Sequence, residues 1–501
     1  MSRQYGQPTP QTHPHLLKPG EITPGISAAE YELRRTQLMK LLPENSVAIS
    51  LGYRTRYMSN KVLIQISSIY VVSISSLFDF LRLTALIEKL NTYELGFNEP
   101  DAAMILEKNS SPRGYKMTMF VPPKNQGIEM WDGSRTGVHG AIDVFGADEA
   151  MESAKFNMKV RDIVKNYQEI YIDLPPRTNL LSAENVTKNF NRTRGIAFLS
   201  WFRKMSDFLD RLALHRYFTG LNDQANEIKP LSRIVQNLRI IKSSSEIKLM
   251  RQAGEITGKA FIETMRYTKP GLLEHDLYAK IDFECRTRGA EYLAYVPVVA
   301  GGPNALTMHY VSNNMPLRNG DMVLMDAGGE YHGYACDMTR TWPVNGKFTG
   351  PQRELYEVVL KVNRECIKLC TEKHGISLNG IHDLSLKLMN EELSQLGFRL
   401  SEGDLDRTLY PHHVGHYLGL DVHDTPDLDR SRKLKEGMVV TIEPGLYVPF
   451  KNEYPEQYRG IGIRIEDNVL VGETEPIVLS VTAPKEVVDI QYCMANLEGW
   501  D

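Results

Sequence analysis

Cysteine is scarce in this chain: five residues in 501, at Cys285, Cys336, Cys366, Cys370 and Cys493. The number is odd and no CxxC pair occurs, which argues against a disulfide framework and a thiolate zinc site and fits a reducing compartment. An excess of one charge is also lacking. With 58 basic and 62 acidic side chains the net charge is −4, so bulk nucleic-acid affinity and polybasic membrane binding are not expected. Long apolar runs are nearly absent. The one uncharged stretch, Val62–Phe78, carries Gln65 and five serines. It reads as a buried strand–helix pair, and no stable membrane span is expected. The first residues contain no apolar secretory core. What is present, 42% apolar and 24% charged residues, is the composition of a globular protein with room for more than one domain.

Residues 1–26 are rich in Pro, Gln, Thr and His and read as an extended N-terminal segment. Ser27 caps a helix, with Glu30 at capping-box spacing. An α/β domain over 27–225 follows, with strands expected at 46–51, 101–107, 116–121 and 170–173. Helices are expected near 147–166 and 196–214, and Trp131–Arg135 reads as a loop. Asn185 and Asn191 begin glycosylation sequons that no secretory signal supports. Composition turns polar over 219–229, a domain boundary. From Pro230 the pattern is helical, with Ser244 or Ser245 as the cap of its second part. Further helices are expected over 352–374 and 377–397, and strands over 293–302, 438–442 and 460–471. The second domain, 230–490, reads as helices covering one face of a curved antiparallel sheet.

The chemistry gathers around Asp321–Trp342, DMVLMDAGGEYHGYACDMTRTW, which reads as a hairpin. With Tyr331-His332 at its centre, Asp326 opposes Asp337 directly. With His332-Gly333 at its centre, they are diagonal neighbours on the same face. Taken alone, the pair is equally well two solvated acids or part of a cation site. Later strands add Glu443, at the end of VVTIEPG, and Arg464 and Glu466, which alternate onto one face of GIRIED. Between them, HHVGHYLGLDVHD holds four histidines. Four carboxylates and one imidazole, Asp326, Asp337, Glu443, Glu466 and His416, suit two divalent cations: Mn²⁺ first, with Co²⁺ and Zn²⁺ as alternatives. Arg464 is placed to orient a bridging carboxylate.

MDAGG…CDMTRTW, HHVGHYLGLDVHD, VVTIEPG and GIRIED, in this order, resemble the ligand motifs of the pita-bread (creatinase/aminopeptidase) metallopeptidases, and of aminopeptidase P in particular. LRIIKSSSEIKLMRQAGEITGKAF and AYVPVVAGGPNALTMHY are similar to that family's entry to its catalytic domain and its catalytic-histidine segment. The N-terminal segment and MWDGSRTG resemble the mitochondrial branch, which includes the fungal intermediate cleaving peptidase.

The resemblance implies an α+β protein, with a C-terminal pita-bread catalytic domain and an N-terminal α/β creatinase-like domain. It implies that Asp326 and Asp337 bind one metal, His416 and Glu443 the other, and that Asp337 and Glu466 bridge. It implies that His309 stabilises the oxyanion, that His423 contacts the substrate near its proline, that His412 lines the cleft and that Glu443 relays a proton. The implied activity is removal of the N-terminal residue from peptides or proteins through a metal-bridging hydroxide. The substrates are of Xaa-Pro type, or mitochondrial proteins trimmed after presequence cleavage. Alternatives are a prolidase acting on Xaa-Pro dipeptides and an inactive pita-bread binding protein. A homodimer in mitochondria is implied as well. No presequence is visible, which leaves the cytoplasm as the alternative. Residues 61–95 match nothing in the family pattern and read as a translated intron or an insertion.

Overall fold

The computed structural model describes residues 5–52, 56–59, 62–64, 93–173 and 227–495. Most of the anomalous 61–95 stretch, the helix expected over 196–214 and both sequons lie outside the described residues. The chain divides into two compact units, Met1–Leu238 and Arg239–Asp501.

In the first unit, Ser27 accepts from Glu30 N and caps the helix Ala28–Leu41. A six-stranded mixed sheet follows, in the order Glu227–Lys229, Glu169–Ile172, Ser46–Leu51, Ala103–Lys108, Tyr115–Val121, Glu149–Glu152. Val47, Ile49, Ile105, Phe120, Ile170 and Ile172 pack against Phe156, Val160, Ile163 and Val164 of the helix Phe156–Val164. Two sequence expectations fail here. The helix expected from 147 begins only at Phe156, because Glu149–Glu152 pairs in parallel with Thr118–Val121 as an edge strand. Trp131, expected in a loop, lies in the helix Gln126–Asp132, which Asn125 caps by accepting from Ile128 N.

Among the described residues of the second unit the strand ladders are antiparallel. Val298–Gly301 and Thr339–Pro343 flank Met322–Asp326, and Val439–Ile442 pairs with Asp467–Leu470. The long helix Ser244–Tyr267 starts at Ser243, not at the serines expected. Only Ser243 has a glutamate three residues on, and Glu246 returns the bond to the Ser243 N–H at 2.9 Å. A similar box between Thr349 and Gln352 starts the helix Gly350–Lys368. The strand expected over 460–471 is two strands. Gly462–Arg464 pairs with Gly445–Tyr447, while Asp467–Leu470 joins another ladder, so Glu466 sits at the change of partner.

The opening hairpin takes the register with His332-Gly333 at its centre: Tyr331 faces Tyr334, and Asp326 faces Thr339. His332 (φ 49) and Gly333 (φ 85) are both left-handed, the two-residue turn whose twist suits a hairpin. A glutamate holds the non-glycine residue in that conformation. Glu291 accepts from the His332 N–H at 3.0 Å and meets its ring Nδ1 at 2.8 Å. Between the ladders the strands close in on each other, and a Cβ at Gly328 would lie 1.7 Å from the Cys336 carbonyl oxygen.

A buried ion cluster ties the start of this unit to its histidine-rich loop. Arg239 donates to Asp421 and Asp424, and Lys242 donates to Asp424 at 3.0 Å. Burial alone would raise the Asp424 pKa, but the two cations hold it below the ordinary value. Such a depressed carboxyl adds stability above its unfolded pKa and loses it as pH falls through the folded value. Asp424→Asn leaves two buried cations short of an anion, so it is expected to cost about 3–5 kcal/mol. Calorimetry at neutral pH checks this, and the gap to the parent should shrink as the pH falls through the lowered pKa of Asp424. Gly328→Ala forces the hairpin apart and is expected to lower bound metal, read by elemental analysis of folded protein.

Candidate functional site

The candidate ligands sit where strands stop. Asp326 ends Met322–Asp326, Glu443 follows Val439–Ile442, and Glu466 lies between Gly462–Arg464 and Asp467–Leu470. Asp337 leaves its own ladder. Its N–H donates to Asn468 Oδ1 at 3.1 Å, and its carbonyl accepts from the same amide. His416 runs beside the strand that leads to Glu443. Thr441 N donates to His416 O at 2.9 Å, and Glu443 N to Val414 O at 2.8 Å. Gly415 makes this approach possible, since a Cβ there would lie 1.9 Å from the Thr441 carbonyl oxygen.

The side chains converge. His416 Nδ1 donates to the Tyr417 carbonyl at 3.1 Å. That fixes the tautomer and leaves Nε2 as the free lone pair. Nε2 stands 3.3 Å from Asp337 Oδ2 and 3.6 Å from Glu443 Oε1. Asp337, His416 and Glu466, all buried, each offer a ligand atom within 4.8 Å of the others. Thr339 Oγ1 donates to Glu466 Oε2 at 2.8 Å and accepts from Arg464 Nε at 3.1 Å. Arg464 also donates to Asp326 Oδ2 at 2.7 Å.

Sequence reasoning missed Tyr295. Its hydroxyl lies 2.5 Å from Asp326 Oδ1 and 2.6 Å from Asp337 Oδ1, so one buried phenol spans the two aspartates. Nothing in AYVPVV marks that tyrosine as different from a core residue. Thr339, Thr441, Tyr447 and Asn468 were missed likewise, because each acts through a contact more than a dozen residues away or through a neighbouring strand.

The remaining candidates ring this group. His412 Nδ1 donates to the His413 carbonyl at 3.0 Å, so its Nε2 accepts from the Tyr447 hydroxyl at 2.9 Å. Tyr447 in turn accepts from Arg464 at 2.8 Å. Burial, with the Arg464 charge, pushes the His412 pKa down to about 3, which keeps the ring neutral. His423 stands edge-on to His416, with ring centroids 4.4 Å apart. His309 lies on an exposed turn, close enough to act electrostatically on both His412 and His423.

Charge balance decides what this arrangement holds. Burial, together with Asp337, Glu443 and Asp326, drives the Glu466 carboxyl well above its ordinary range. Burial raises Glu443 to about 7 against the pull of His416 and Arg464. Burial also raises Asp326, whereas Asp337 falls below its ordinary value because His416 bonds to it. Glu466 Oε1 is buried with no hydrogen-bond partner. An orphaned carboxylate oxygen, a presented imidazole and mutually repelling acids are the donor set of a hard divalent cation.

The comparisons with known proteins agree with this chemistry. Residues 248–473 match the model of metallopeptidase family M24, and residues 91–171 match that of the aminopeptidase P N-terminal domain. Xaa-Pro aminopeptidase 3 of Mus musculus is 40% identical over 505 residues, covering 98% of this chain and 90% of that protein. "Intermediate cleaving peptidase 55, mitochondrial" of Arabidopsis thaliana is 37% identical, covering 99% of this chain and 88% of its own length. The crystal structure of Icp55 from Saccharomyces cerevisiae superposes with a TM-score of 0.76 at 36% identity, covering 95% of this chain and 99% of that one. A second structure of that protein, bound to the inhibitor apstatin, gives 0.73 at 35% identity, covering 95% of this chain and 100% of that one. With its M24 and aminopeptidase P N-terminal regions and a relative this similar over nearly its whole length, the chain belongs to the aminopeptidase P family of metallopeptidases.

Proposed function

We propose that this protein is a metal-dependent aminopeptidase that removes the N-terminal residue from peptides or proteins, of Xaa-Pro type or trimming mitochondrial proteins. The observation that carries the reading is the convergence of His416 Nε2 on Asp337 and Glu443 beside the orphaned Glu466 oxygen. Asp326 and Asp337 are proposed to hold one divalent cation, and His416 and Glu443 the other, with Asp337 and Glu466 bridging. The oxygen-rich set supports Mn²⁺. When bound, the pair supplies Lewis acidity and lowers the pKa of water.

The chain's own residues do the rest. Tyr295 and Arg464 hold Asp326 in place, which orients it as a ligand. Glu443 Oε2 is proposed to carry a proton to the leaving nitrogen. His309 is proposed to stabilise charge on the scissile carbonyl oxygen. His412 has both ring nitrogens engaged and is proposed to line the cleft as a neutral wall. His423 is proposed to touch the substrate near its second residue.

The name of the Arabidopsis relative supports a mitochondrial site of action. A homodimer and the domain limits 27–225 and 230–490 are proposed with it, on the family likeness. The Mus musculus relative is named as an aminopeptidase, which favours this reading over a dipeptidase.

A peptide panel tests it. Xaa-Pro tripeptides and longer peptides should be cut after the first residue, and a chelator should stop the reaction until Mn²⁺ is restored. Cleavage of dipeptides alone would show a prolidase. Asp337→Asn and Glu466→Gln are each expected to lower kcat by at least about 100-fold. Asp326→Asn, which serves one cation, should cost less. Full activity of metal-loaded Asp337→Asn would rule out the bridging role.

A further inference from the structure

The turn that carries His309 is held from a distance by one buried carboxylate. Glu274 opens the helix Glu274–Thr287 and is 0% exposed. Its Oε1 accepts from Gly301 N and from the Asn304 side-chain amide, both at 2.8 Å. Its Oε2 accepts from the Tyr310 hydroxyl and from Met315 N, both at 2.9 Å. Two of these donors precede His309, one adjoins it and one follows it. The helix N-terminus beneath the carboxylate favours its charge. Four donors satisfy the group without a buried countercharge among them.

A second clamp shortens the free span. Asn313, left-handed at φ 46, accepts from Val299 N at 2.9 Å and donates to Pro297 O at 2.8 Å. Its amide pairs with the chain as a strand residue would. Leu306, Met308 and Tyr310 pack on Val298, Ala300, Leu324 and Tyr447. His309 is therefore an exposed side chain on a turn whose flanks are fixed on both sides.

We propose that Glu274, acting through Tyr310, is a positioning residue for His309. The inference rests on the role given to His309 above. A glutamine at 274 would set one NH₂ group against two of the four donors and release one side of the turn. Tyr310→Phe is the gentler change, since it removes a single hydroxyl and keeps the packed ring.

The test is a set of double-mutant cycles on an Xaa-Pro tripeptide, using Mn²⁺-loaded full-length protein. Wild type, His309→Ala, Glu274→Gln, Tyr310→Phe and the two double variants with His309→Ala are compared, with metal content measured for each. Glu274→Gln and Tyr310→Phe are expected to lower kcat by roughly 10-fold or more, since a small misplacement of a reacting group costs up to about 100-fold. KM and metal content should stay within about twofold, because the acting group serves the transition state. In the His309→Ala background neither change should lower kcat further. A loss of equal factor in that background would show a general structural role and overturn the inference. So would wild-type kcat in both single variants. Wild-type kcat for His309→Ala would overturn the role of His309 itself, and this inference with it. If Glu274→Gln does not fold, the Tyr310→Phe cycle decides alone.

Discussion

Repulsion among four carboxylates, Asp337 and Glu466 buried and Asp326 and Glu443 half-buried, constrains everything else in the catalytic unit. Two like charges about 4 Å apart, at an effective dielectric of about 20, repel by roughly 4 kcal/mol. Several such pairs together rival the roughly 5–15 kcal/mol that stabilises a whole domain. Asp326, Asp337, Glu443 and Glu466 therefore need positive charge or protons among them. The strain shows in the groups themselves: burial and neighbouring acids drive Glu443 and Glu466 upward, and the acids beside His416 raise it. Two divalent cations would balance the four charges directly.

The fold meets this constraint by making the ligands the ends of strands rather than their middles. Asp326 ends one ladder, and Glu443 and Glu466 both lie where the pairing of Val439–Ile442 with Asp467–Leu470 gives way to that of Gly445–Tyr447 with Gly462–Arg464. Side chains then replace the missing ladder bonds. Asn468 holds the Asp337 backbone, Thr339 links Glu466 to Arg464, and Tyr295 spans the two aspartates. Glycines mark the closest approaches, at Gly328 and Gly415, where any side chain would strike a backbone carbonyl. These contacts are made by the chain's own side chains, so the protein supplies a supporting shell around the ligands.

Much of this was legible in the sequence because strand alternation and motif order act locally. Asp326 and Asp337 on one face, and Arg464 sharing a face with Glu466, follow from period-two geometry alone. The hairpin register did not. A histidine is a poor candidate for a left-handed turn position, and what holds His332 there is Glu291, forty-one residues earlier in the chain. Glu149–Glu152 reads as helix until Thr118–Val121 captures it as an edge strand. Tyr295 and Glu274 carry no local signal at all. Their roles come from partners that only the folded chain brings near.

The most direct test of a two-cation centre is the number of ions it takes. Protein stripped with a chelator is titrated with Mn²⁺, following bound metal per chain and peptidase activity together. The account predicts two equivalents per chain at saturation, falling in the Asp337→Asn variant. Saturation at one equivalent with full activity, or peptidase activity in metal-free protein, would contradict it.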